Sequence, residues 1–211
     1  MNGIKSSVIT VNQNRPNTIL SVLTITKNEI KDISGWFDDI DRQSIRNQIE
    51  VICCDSSTDG TEKIIMKRAD KISHCDSCKF ADARNECAAL ASSDLLFFTD
   101  VDIRYLTPTF LADAIKYFRD NHMNVGSIGT VLQPDGTLTH PASQNRLSGQ
   151  FIMITREAFD KIGGFGKYLG VFNTWEDGDL TIKVRNKGYR IQAIPMTIKH
   201  LRPQKKWLVF W

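Results

Sequence analysis

Asp100 and Asp102, one residue apart at the end of an apolar run, and Glu176 and Asp177 far downstream are the residues of this chain best suited to chemistry. Two carboxylates that converge on one point supply hard oxygen ligands for Mg²⁺ or Mn²⁺, particularly where a diphosphate completes the shell. Left in an apolar setting without a cation, such a pair would be costly. A separate carboxylate such as Asp177 could then take a proton from a hydroxyl. Each cluster also has a plain structural reading. Asp100 and Asp102 could end a strand in a solvated turn. Glu176, Asp177 and Asp179 could complement the dipole of a helix that runs to Gly188.

The elements that must position these acids are readable from apolar patterning. Asp94-Leu95-Leu96-Phe97-Phe98-Thr99 is a short apolar stretch of the kind buried on both faces of a sheet, so Asp100 and Asp102 would emerge at its carboxyl end. Thr18 to Thr26 is β-rich and leads through Lys27-Asn28-Glu29 into a helical pattern. Ile49 to Cys54 reads as another strand. It delivers Asp55-Ser56-Ser57-Thr58-Asp59-Gly60-Thr61, whose small polar residues favour a tight turn and a helix cap. Ala81 to Leu90 has helix-forming composition with a small-residue face. Strands alternating with helices at this spacing predict an α/β fold with a central, mostly parallel sheet flanked by helices. Asp55 and Asp100 would then share the carboxyl edge, where ligands bind in open α/β sheets.

Six segments, in order, resemble the inverting glycosyltransferases of family 2 with the GT-A fold, a Rossmann-like nucleotide-binding architecture. They are Thr24-Ile25-Thr26-Lys27-Asn28-Glu29, the Asp55 to Thr61 turn, Ala83-Arg84-Asn85, Thr99-Asp100-Val101-Asp102, Ile162-Gly163-Gly164-Phe165 and Trp175-Glu176-Asp177-Gly178-Asp179-Leu180. The resemblance implies transfer of a hexose or N-acetylhexosamine from a nucleotide-sugar donor, a UDP-sugar first, to a hydroxyl of a glycan or glycoconjugate. It implies Mn²⁺ or Mg²⁺ as cofactor and a place in polysaccharide or glycoconjugate synthesis. By the same resemblance Asp55 would accept a hydrogen bond from the uracil ring, with Thr24 and Glu29 lining the nucleoside pocket and Arg84 near the nucleotide. Asp100 and Asp102 would contact ribose and metal, His200 would complete the metal shell, and Asp177 would be the base. Gly164, Trp175 and Glu176 would border the acceptor. Departures from the family pattern are Cys54, where a second aspartate is usual, and Phe172-Asn173-Thr174 in place of a paired glycine. A nucleotidyltransferase of related fold and a non-catalytic sugar-nucleotide or glycan-binding module remain alternatives. Thr26-Lys27-Asn28 offers no glycine-rich phosphate loop, which weighs against the former.

The 211 residues, 41% hydrophobic and 24% charged, suffice for one substantial core. We expect a polar extension over 1–17, a catalytic domain over 18–203 and a basic aromatic tail over 204–211. Within the domain, residues 18–105 would form the nucleotide-sugar half and 106–203 the acceptor half. Phe110, Leu111, Ala114, Ile115 and Phe118 recur at helical spacing and predict a core face. Gln133 to Thr137 reads as a hairpin turn, and His140 to Gln150 as a polar loop. No apolar signal-peptide core and no membrane-length apolar run occur, so a cytoplasmic protein, monomer or homodimer, is expected. The tail would suit peripheral contact with a membrane, packing on the domain, or dimerisation. Five cysteines, with Cys75 and Cys78 at C-x-x-C spacing, suggest reduced structural thiols over a zinc or redox site. A net charge of +3 carries no nucleic-acid footprint.

Overall fold

A computed structural model describes residues 7–10, 17–75, 79–166 and 176–202. Trp175, Cys78 and the tail lie outside them. The strands are β1 (Ser7–Thr10), β2 (Leu20–Thr26), β3 (Ile49–Asp55), β4 (Lys71–His74), β5 (Leu95–Thr99), β6 (Ile103–Tyr105), β7 (Val125–Leu132), β8 (Leu138–Thr139), β9 (Phe151–Thr155) and β10 (Gln192–His200). The helices are α1 (Ile33–Asp41), α2 (Thr61–Arg68), α3 (Phe80–Leu90), α4 (Phe110–Asp120), α5 (Arg156–Ile162) and α6 (Glu176–Asn186).

All ten strands belong to one sheet, ordered β1-β4-β3-β2-β5-β9-β7-β10-β6, with β8 paired to β7. The run β4-β3-β2-β5 is parallel, as expected from alternating strands and helices. Antiparallel β9 then joins β5 to β7, and β7 pairs in parallel with β10. Ser7–Thr10, read from the sequence as part of a polar extension, lie antiparallel along β4.

Strand alternation sends successive side chains to opposite faces and builds two cores. Leu20, Val22, Val51 and Phe97 pack with Trp36, Phe37 and Phe110, on the side of α1, α2 and α4. Leu23, Ile52 and Phe98 pack with Ala88, Phe159 and Leu180, on the side of α3, α5 and α6. The helical stripe from Phe110 to Phe118 is wholly buried. Phe97 and Phe151 meet edge to face across the β5–β9 pair, ring centroids 4.5 Å apart. Burial of one such side chain contributes about 1.5–3 kcal/mol.

The turn expected at Gln133 to Thr137 links β7 to β8, with Gly136 at φ +83° and the Asp135 carboxylate accepting from the Thr137 N–H. Pairing of β10 with β7 slips between Ile194 and Thr197, where Pro195 lacks a ladder N–H. Gly129 stands opposite: a Cβ there would lie 2.7 Å from the Ile194 carbonyl oxygen. Backbone cannot yield as a side-chain end can, so Gly129→Ala is expected to destabilise by about 1–3 kcal/mol in urea unfolding. Unchanged stability would show that the strands part at no cost.

Cys53, Cys54 and Cys87 are free and buried. Burial raises all three thiols, Cys54 to about 12, so they stay neutral. Cys75, in contrast, is disulfide-bonded, so the expectation of fully reduced thiols fails there.

Candidate active site

Because β2, β3 and β5 run parallel, their carboxyl ends carry Thr26, Asp55 and Asp100 to one edge, which opens into a cleft of about 540 Å³. Asp55 is 2% exposed, and its Oδ1 accepts from Thr26 Oγ1 and Ser57 Oγ, both at 2.6 Å. Its Oδ2 has no hydrogen-bond partner among the described residues. Thr24 does not reach the cleft wall. It lies one pleat back at 1% exposure, its hydroxyl unsatisfied, and Thr26 lines the cleft in its place. Asp59, outside the cleft lining, caps the turn by accepting from the Thr61 N–H at 3.0 Å.

Arg84 rises from α3, whose small residues Ala81, Ala83, Cys87 and Ala88 let the helix pack closely on the sheet. Its side chain is 4% exposed. Nη2 donates to Asp100 Oδ1 at 3.0 Å, and Nε stands 3.3 Å from Glu176 Oε1 without hydrogen-bond alignment. Among the described residues Nε and Nη1 are therefore buried donors without a hydrogen-bond acceptor, Nε being only ion-paired. Gly149 leaves the room, since a Cβ there would lie 3.2 Å from Nη2. Burial alone would lower the Arg84 pKa, but Asp100, Glu176 and Asp177 hold it above its ordinary value. The Asp100 and Glu176 carboxyls are raised, chiefly by desolvation, with Arg84 opposing and neighbouring acids adding to the rise. A third of the Asp100 side chain reaches solvent, which moderates its rise. One guanidinium among several carboxylates leaves the site short of positive charge.

Asp102 begins the second half of that shortfall. Pairing of β6 with β10 sets His200 opposite Ile103, and the Leu201 N–H extends the contact to the Asp102 carbonyl at 2.8 Å. His200 Nε2 thereby comes 3.3 Å from Asp102 Oδ2, while Nδ1 lies 3.3 Å from Gln133 Oε1. Desolvation pushes Asp102 up, yet His200 and Arg202 outweigh it and its pKa falls below the usual value. Arg202 pairs with Glu29 and Asp32 and stands 4.0 Å from Asp102. Glu29 thus lines the cleft with its carboxylate already engaged. Arg202 was not foreseen from the sequence, its only signal being a lone arginine two residues after His200.

Among the described residues no group of three or more His, Cys, Asp or Glu is arranged to hold a metal. Asp102 and His200 nevertheless fit the way Mg²⁺ and related ions are held beside phosphates: one or two protein ligands, with substrate oxygens and water filling the shell. Asp100, bonded to Arg84, sits one residue away.

Asp177 occupies the first turn of α6. Its Oδ1 accepts from the Gly178 N–H at 2.8 Å and its Oδ2 from the Gly149 N–H at 3.4 Å. Gly163 closes α5 at φ +73°, and Gly164 follows at φ +62°, where a Cβ would meet Asn85 Oδ1 at 2.6 Å. Asn85 in turn clasps the Phe165 N–H and carbonyl, both at 2.9 Å. The Gly163-Gly164 pair therefore serves both as helix stop and as close-approach turn. Cys54, Lys79 and Phe80 also line the cleft, a role not read from the sequence.

This sheet, with acids and a buried arginine at its carboxyl edge, is the GT-A arrangement. Residues 21–172 match the family described as Glycosyl transferase family 2, and the chain belongs to that family. No curated protein matches it by sequence. Among solved structures, it is similar to the mannosyltransferase PcManGT from Pyrobaculum calidifontis, in complex with GDP-Man and Mn²⁺, at 21% identity and TM-score 0.71, over 93% of this chain and 61% of that one. It is similar to S. aureus TarS 1–349 in complex with UDP-GlcNAc at 20% identity and TM-score 0.74, over 90% of this chain and 60% of that one. Of a longer S. aureus TarS chain it covers 37%, at 21% identity and TM-score 0.72. The chain thus spans less than two thirds of these neighbours.

Proposed function

We propose that this chain is a metal-dependent, inverting glycosyltransferase domain that moves a hexose or N-acetylhexosamine from a UDP-sugar to a hydroxyl of a glycan or glycoconjugate. The observation that carries the reading is Arg84, a buried guanidinium on the cleft wall with two nitrogens that have no hydrogen-bond acceptor among the described residues. Such a group is suited to an anion with several oxygens, as a diphosphate is. The neighbours solved with GDP-Man and with UDP-GlcNAc support a nucleotide-sugar donor.

In this mechanism Asp55 Oδ2 accepts the uracil N–H and Asp100 engages the ribose. Arg84 stabilises charge on the departing diphosphate. A divalent ion held by Asp102 and His200 would add Lewis-acid stabilisation of the same charge. The acceptor oxygen forms a bond to the anomeric carbon as the bond from that carbon to the diphosphate oxygen breaks, its electron pair leaving with the diphosphate. The proton of the acceptor hydroxyl passes to the Asp177 carboxylate. A nucleoside diphosphate is a good leaving group, so no general acid comparable to that of glycoside hydrolases is needed.

The test is a binding and hydrolysis screen of UDP-, GDP- and dTDP-sugars with Mn²⁺, Mg²⁺ or EDTA. Asp102→Ala is expected to abolish the metal-dependent part of donor binding while the fold persists. Failure of every nucleotide sugar to bind with any metal would leave a binding module of the same fold.

A further inference from the structure

We infer that Arg104 is a positioning residue that sets the turn carrying Asp100 and Asp102, and that Gly35 is the slot that admits it. The inference rests on the proposed metal role of Asp102.

Arg104 is the middle residue of β6, paired with Lys199 in the ladder that brings His200 beside Asp102. Its side chain folds back over the preceding turn. Nη1 donates to the carbonyls of Val101 at 3.0 Å and Ile103 at 2.7 Å, and Nη2 donates to the Asp32 carbonyl at 3.1 Å. One guanidinium thus ties the residue between the two aspartates to the start of α1, beside Asp32 and the loop that holds Glu29. The planar fork matters, since a lysine ammonium offers a point charge in place of a divergent pair of donors.

The turn needs such a tie. Asp100 and Asp102 repel one another, and Asp100 is drawn toward Arg84 while Asp102 faces His200. Short of direct contact with either carboxylate, Arg104 holds the intervening main chain, so the two acids keep their separation whether or not a cation is present. Tyr105 reinforces the same turn from the other side, its hydroxyl 3.1 Å from Thr99 Oγ1 and its N–H bonded to Asp39 Oδ2 at 3.1 Å. Gly35 completes the arrangement. A Cβ at that position would lie 2.7 Å from Arg104 Nη2, so an alanine there pushes the end of a long side chain off the Asp32 carbonyl without touching the backbone of the turn.

That asymmetry supplies the experiment. Free Mn²⁺ is titrated by electron paramagnetic resonance in the presence of UDP for the wild type, Arg104→Gln, Arg104→Lys, Gly35→Ala and Asp102→Ala, with thermal unfolding alongside. Removal of a residue that orients metal ligands costs about 10–100-fold in metal affinity. That loss is expected in Arg104→Gln and Gly35→Ala, with partial recovery in Arg104→Lys. Gly35→Ala should meanwhile lower the melting temperature less than Arg104→Gln, because alanine is the better helix former and offsets part of the lost bonding. A purely structural arginine would lower the melting temperature of the Arg104 variants and leave Mn²⁺ affinity unmoved in Gly35→Ala, which would overturn the inference. If Asp102→Ala also leaves Mn²⁺ binding unchanged, the metal reading itself falls and takes this role with it. Loss in Asp102→Ala alone rejects only Arg104.

Discussion

Asp177→Asn is expected to slow sugar transfer by about 10²–10⁴-fold, the range for loss of a positioned general base. Donor affinity should hardly change, because in the proposed mechanism the carboxylate acts on the acceptor proton. Geometry makes the substitution clean. The Gly178 N–H bonds to Oδ1 at 2.8 Å, and asparagine can keep that acceptor in place. The Gly149 N–H, 3.4 Å from Oδ2, would instead face an amide donor, a weak contact to lose. Steady-state transfer to a working acceptor, read beside UDP-sugar affinity by calorimetry, separates the two effects. A drop in kcat with donor affinity intact supports the base. Turnover within about tenfold of wild type would move the base to another group.

Glu50→Ala is expected to cost about 3–5 kcal/mol of stability, as does removing one partner of a buried ion pair. Glu50 is 4% exposed on β3, at the edge of the sheet opposite the cleft. It accepts from Ser21 Oγ, from the Ser92 N–H at 2.6 Å and hydroxyl at 2.8 Å, and from Lys71 Nζ at 2.9 Å. Burial pushes its carboxyl up, but these donors outweigh it, and the folded pKa lies below the ordinary value. A depressed carboxylate pKa means stability that is full above the unfolded value of about 4.3 and lost as pH falls through the folded one. The gap between wild type and Glu50→Ala in urea unfolding should thus be widest near neutrality and narrow in acid. A gap below about 1 kcal/mol, or one flat with pH, would remove Glu50 as a keystone of that edge.

What could be read in advance followed burial. β2, β3 and β5 are central and covered on both faces, so their sequences are apolar runs, and the acids that follow them stand out. β4 is Lys-Ile-Ser-His and β6 is Ile-Arg-Tyr, too short and too polar to announce themselves. Their strand character comes from partners far along the chain. The same holds for the site. Asp55, Asp100 and Glu176 stand out as acids at the ends of readable elements, whereas Arg84 is singled out by the family resemblance alone, and the cleft gathers all four. Thr24 lies outside the cleft lining and Thr26 within it, a difference of one pleat that the sequence does not display. Arg104 and Arg202 escaped notice since their partners are carbonyls and acids brought near only by the β6–β10 pairing. Glu50 is a single charge inside an apolar strand, but its partners Ser21, Lys71 and Ser92 come to it only through the fold.

The continuity of the sheet has a mechanical consequence. A division after Tyr105 would part β6 from β10, to which it is laddered, and β5 from β9, to which it is laddered through five residue pairs. Among the described residues the two sides of that point are one continuous sheet. Cutting the chain after Tyr105 should yield two fragments with raw, complementary strand edges, unable to fold separately and suited to reassembly when coexpressed.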